Sequence, residues 1–167
     1  MRRLLTILCA VGLLVGLISL PATAANKGAD KVPIAGTNLF LSLTPDEVRV
    51  TPGGVVHQSG DEATVQWGGD ITGETTITYH RSHVTRNGHR LLAVASSHGV
   101  LTWDNRTGEV RGVTNATCKA DDLGELVCSG TFVLHGSGEL EGVTFHVKWG
   151  PGFFLFPFEG FALDRAG

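Results

Sequence analysis

The residues best equipped for chemistry are seven histidines, one serine–histidine stretch, two close glutamates and two late cysteines. His80 and His83 are three positions apart, so a regular strand sends them to opposite faces. Neither H-E-x-x-H nor H-x-H occurs, and no metal site or cofactor is expected. Ser96 and His98 share a strand face but stand about 7 Å apart, too far for one to activate the other. There is no G-x-S-x-G. Glu139 and Glu141 project onto one strand face as paired carboxylates, without the burial that acid–base work needs. No residue is therefore assigned a catalytic role. Cys118 and Cys128 are too widely spaced for a C-x-x-C redox pair. A three-residue loop at Asp122-Leu123-Gly124, with Gly124 left-handed, would set them opposite each other as a structural disulfide.

These side chains must be positioned by strands, because no stretch after residue 35 keeps a 3.6-residue apolar period. Short β-rich runs alternate with glycine turns. They predict strands over 39–43, 47–51, 55–58, 63–67, 74–86, 89–103, 109–119, 125–134, 140–149 and 153–161. Closely spaced hairpins leave no room for parallel crossovers. An antiparallel meander of about eight long strands closes into a barrel or splits into a β-sandwich.

Asn87-Gly88 is the preferred pair for a type I′ turn. With that turn, Ile77 faces His98, Tyr79 faces Ser96 and Arg81 faces Val94 on one sheet face. That face mixes apolar bulk with a few polar groups, as small-molecule cavities do. In Val143–Trp149, residues Val143, Phe145, Val147 and Trp149 point inward, and Thr144, His146 and Lys148 outward. Tyr79, His98 and Trp149 are thus the candidate ligand contacts. The alternative is that they fill a solid core. Phe153–Phe158 is the most apolar stretch of the mature chain, and is either covered on both sides or exposes a patch for a partner or lipid.

Gly69–Thr75, Gly108–Thr114 and Gly138–Thr144 share the form G-[DE]-[ILV]-x-G-x-T. The first glycine closes a turn, the apolar residue points inward and the second glycine permits a bend. Ser129–Gly142 and Val65–Gly73 resemble the glycine hairpins of the allene oxide cyclase/dirigent-like barrels and of small bacterial secreted proteins similar to them. The likeness covers roughly residues 45–164. It implies an eight-stranded antiparallel barrel of calycin shape with a small interior cavity. No catalytic residue of the plant enzymes matches a position here.

Arg2 and Arg3, a charge-free run from Leu4 to Leu20, Pro21 and Ala22-Thr23-Ala24 read as a signal peptide over 1–24, cleaved near Ala24. A flexible leader over 25–35 and a barrel domain over 36–167 follow. The protein is expected to be secreted, extracellular or periplasmic, where a disulfide persists. A formal charge of −3 argues against a nucleic-acid partner. Glu74–Arg86 is too polar for the lipid-facing belt of an outer-membrane barrel. Three functions stay open. The first is a non-enzymatic barrel holding a small apolar ligand. The second is a cyclase or isomerase of the allene-oxide-cyclase type acting on an unsaturated molecule. The third is an interaction module using Phe153–Phe158.

Overall fold

The computed structural model describes residues 28–44, 47–52, 56–60, 62–84, 90–120, 126–152 and 155–165. The segment read as a signal peptide, the turn expected at Asn87-Gly88, the loop expected at Asp122–Gly124 and Phe153-Phe154 lie outside them. Ten strands follow in chain order: β1 Asp30–Thr44, β2 Glu47–Val50, β3 Val56–Ser59, β4 Glu62–Gly69, β5 Ile71–Val84, β6 Arg90–Trp103, β7 Arg106–Ala120, β8 Leu126–Gly136, β9 Val143–Gly152 and β10 Leu155–Asp164. They form one antiparallel sheet, in which β1-β4-β5-β6-β7-β8-β9-β10 runs in order and β1 also pairs with β10. The β1–β10 ladder joins the two ends of that run, which makes a closed eight-stranded barrel rather than a sandwich. The β2–β3 hairpin extends the wall through pairing of β3 with the end of β5.

Alternation places the core. In β9, Val143, Phe145, Val147 and Trp149 are buried and Lys148 is exposed, with Thr144 and His146 between, as the sequence predicts. The lumen is rich in aromatic rings, among them Phe132 on Trp67 at 5.0 Å, Phe158 on Trp67 at 5.3 Å and Phe145 on Trp103 at 5.8 Å. Edge-to-face packing of this kind suits the ring quadrupoles.

One rim, here called lower, gathers the turn at Asp70, the turn at Asp104-Asn105, the 3-10 turn Gly138–Leu140, the start of β1 and the end of β10. All three copies of the glycine motif reach it, and their apolar residues Ile71, Val110 and Leu140 are fully buried. The copies differ in detail. The first spans a tight hairpin, the second lies within β7, and the third is the 3-10 turn. Two of the motif acids bind a neighbouring backbone. Asp70 Oδ2 accepts the Ala35 N–H at 2.8 Å, and Glu139 Oε2 accepts the Thr107 N–H at 2.9 Å. Gly73 has φ +129°, and a methyl there would run into the Val100 carbonyl, so the bend needs glycine. The Arg106 guanidinium covers Trp103 at 4.8 Å and bonds Asp164 at 2.6 Å, which seals this end.

Three expectations are corrected. Residues 30–35 are not a flexible leader. They form the first part of β1, paired with β10 from Asp30↔Asp164 onward, with Ile34 buried. Their pattern is hard to see because Ile34 is the single large apolar side chain they send inward. The β5–β6 register matches expectation only at the upper end, where Arg81 faces Val94. A bulge at His80 shifts the rest by one, so Ile77 faces Ser97 and Tyr79 faces Ala95. Finally, Glu139 and Glu141 do not share a strand face, because Glu139 sits in the 3-10 turn and Glu141 caps it.

Candidate functional site

The bulge in β5 slips its pairing with β6 by one residue, so Ser97 turns into the lumen and His98 lies on the exposed outer face. His98 therefore makes no contact with the interior. Tyr79 is half-buried against the core, and Trp149 lies inside. The structure thus brings Trp149 and Tyr79 to the barrel interior and its margin, and separates His98 from both.

The buried polar residues among those described are Asn38, Thr75, Ser97 and Thr114. The registers place all four in one belt. Thr75 faces Gly99, and Ser97 is two residues further up β6; Ser97 faces Gly112, and Thr114 is two further up β7. Such diagonal neighbours are about 7–8 Å apart. Thr114 faces Phe132, whose ring meets that of Trp149 at 6.2 Å. Trp149 faces Phe158, two residues below Phe156, which in turn faces Asn38. Asn38 faces Trp67, whose Nε1 donates to Thr75 Oγ1 at 2.9 Å and completes the circuit. Each barrel strand supplies one residue. The polar half lies on β1, β5, β6 and β7, and the rings of Trp67, Phe132, Trp149 and Phe158 complete it.

Two of the polar groups are satisfied. Thr75 accepts from Trp67, and Thr114 Oγ1 donates to the Thr131 carbonyl at 2.9 Å. The Asn38 carboxamide at both ends, Ser97 Oγ and Trp149 Nε1 have no hydrogen-bond partner among the described residues. Below the belt the lumen is filled by Ile71, Leu101, Trp103, Leu134, Leu140 and Phe145, all buried. Above it, Ala63, Ala93, Ala95 and Ala116 line the interior together with Ile77 and Tyr79, and Phe40 and Phe156 lie with ring centroids 4.9 Å apart.

The ladders are irregular beside Trp149. The β9–β10 ladder ends at Phe158↔Trp149, and Pro157, which has no N–H to offer, follows at once on the unpaired side. The β8–β9 register also shifts between Cys128 and Gly130. A pocket of about 680 Å³ lies here on the outer face, walled by exposed residues such as Asn115, Ser129, Lys148, Pro157 and Glu159, with Trp149 and Phe158 at its floor. Gly130 admits the Trp149 ring, since a Cβ would come within 2.6 Å of it. Cys118 and Cys128 face each other across β7–β8 just above, joined as a disulfide.

The chain matches no known protein family, no curated protein and no solved structure. The site must be read from its own residues. Among the described residues no three histidines, cysteines or carboxylates gather to hold a metal ion, and no helix is long and apolar enough to cross a membrane. Phe153–Phe158 resolves by alternation where it is described: Phe156 and Phe158 go inward, while Leu155 and Pro157 are exposed. Sequence reasoning missed Asn38 and Ser97. The signal for Asn38 was its place in the alternation Ile34, Gly36, Asn38, Phe40; Ser97 was hidden by the bulge at His80.

Proposed function

We propose that this domain is an exported, non-catalytic binding barrel that takes up a small, neutral, mainly apolar molecule. The observation that carries this reading is the set of unpartnered polar atoms on Asn38, Ser97 and Trp149 inside an otherwise apolar lumen. Each buried polar group without a partner costs about 1–3 kcal/mol. A ligand that supplies the partner regains that energy. Asn38 Nδ2, Trp149 Nε1 and the Ser97 hydroxyl donate, while Asn38 Oδ1 and Ser97 Oγ accept. A carbonyl or hydroxyl group answers this set. No charged side chain is buried among the described residues, so an ionic head would lose its hydration without compensation. The ligand body would lie above the belt, beside Ala63, Ala93, Ala95 and Ala116.

Binding is favoured over turnover because the belt supplies hydrogen bonds and, among the described residues, no buried carboxyl, imidazole or amine to move a proton. The resemblance to allene oxide cyclase/dirigent-like barrels supports a ligand-holding interior. The disulfide supports an oxidising compartment, and with the N-terminal residue pattern it supports export.

Tryptophan fluorescence titrations with decanol, a methyl ketone of the same length, and decanoate test the reading. The alcohol and ketone are expected to shift the emission and to co-purify in native mass spectrometry. Decanoate is expected to do neither. A spectrum indifferent to all three probes overturns the proposal.

A further inference from the structure

Three rings meet at the upper end of the lumen. Asn38 and Phe40 are successive inward residues of β1, so the Phe40 ring stands one step nearer the mouth than the unmet carboxamide. It packs on Phe156 at 4.9 Å and on Trp149 at 5.9 Å, and those two rings meet each other edge to face at 4.9 Å. Phe156 and Trp149 are buried, whereas Phe40 is only partly so. Phe40 is therefore the ring at the boundary between the interior and the outside.

Its backbone also changes character there. From Gly36 to Leu39, β1 is paired on both sides, with β10 and with β4. Phe40 still pairs with Val65 of β4, but the next rung is Ser42↔Thr64, so Leu41 is an extra residue without a partner on that strand. A bulge of this kind bends its strand and re-aims the side chains beside it. Leu41 faces outward and is exposed, while Phe40 is turned over the lumen.

Two opposing effects act on the Phe40 ring. Packing it against Phe156 and Trp149 removes apolar surface from water. The same packing keeps water from the Asn38 carboxamide and from Trp149 Nε1, neither of which has a partner among the described residues. Burial of one aromatic ring and neglect of two polar groups are of comparable size, so neither arrangement dominates. A change of Phe40 rotamer then suffices to let a polar atom reach both groups.

From this geometry we infer that Phe40 is the gate of the interior. Its ring closes over Asn38 and Trp149, and it turns aside to admit the ligand. The inference rests on the binding reading for what passes the gate, not for the motion of the ring.

NMR of the indole N–H signals tests the motion without any ligand. In Phe40→Ala, hydrogen exchange at Trp149 Nε1 should speed up about tenfold or more. Trp67, bonded to Thr75, and Trp103, under Arg106 at the other rim, should exchange as in the wild type. Stopped-flow mixing with decanol reads the passage. Phe40→Ala should raise the association and dissociation rates by a similar factor, leaving Kd within about threefold, whereas loss of a mere packing contact would act on dissociation alone. Phe40→Leu keeps apolar bulk, should give intermediate values, and serves if the alanine variant fails to fold. Unchanged exchange at Trp149 in both variants, or equal acceleration at all three indoles, overturns the inference. A wild-type protein that ignores decanol defeats the binding reading instead, and the exchange result alone then decides the gate.

Discussion

Asn38 is the residue on which the interior reading turns. Its carboxamide is fully buried, faces Trp67 on one side and Phe156 on the other, and bonds to neither. Replacing it with leucine removes an unmet polar group and keeps much of the volume. Asn38→Leu is therefore expected to raise stability by about 1–2 kcal/mol in urea unfolding while weakening uptake of decanol. Loss of stability would mean that Asn38 is already satisfied in the free protein. At this scale the sequence was partly legible. Trp149 could be placed inside because Val143–Trp149 alternates without interruption. Asn38 could not be singled out, because an asparagine in a strand pattern reads as outward until its neighbours fix the face. His98 was misplaced because a single extra residue at position 80 reverses every side chain beyond it.

Among the elements, the β7–β8 hairpin shows how local information suffices when the chain is short between partners. The cysteine spacing, read with a short loop at Asp122-Leu123-Gly124, predicts the Cys118↔Cys128 pairing seen in the ladder. The disulfide closes a short loop, and the chain-entropy relation assigns it about 2.5–3 kcal/mol. Reduction, or the paired change Cys118→Ala/Cys128→Ala, should lower the unfolding free energy by about that amount with the fold retained below the transition. Unchanged denaturation curves would show that the β8–β9 packing already fixes the hairpin. The His80 bulge is the contrary case. It falls where β5 changes partner, between Thr78, which pairs with β4, and Ser82, which pairs with β3, and that exchange is a long-range feature that no window of residues contains.

For the molecule as a whole, ten strands and an all-β class were readable from periodicity and glycine turns. The seam was not. The barrel closes by pairing its first strand with its last, Asp30↔Asp164 through Leu39↔Leu155, and contacts so distant in the chain leave no local trace. Removing residues 28–35 tests the correction to the leader. It strips β10 of six of its ten pairings with β1 and deprives Asp70 of its bond to Ala35. A loss of at least about 3 kcal/mol, roughly 10 °C in Tm, is expected by calorimetry. A dispensable leader would come away without effect. The same seam has a practical side. Since residues 30 and 164 lie side by side at the rim plugged by Trp103 and Arg106, an affinity tag or surface tether fused at either end would grip the molecule by its base. Immobilised that way, it would stand upright on a sensor chip, with its mouth and flanks open to the flow.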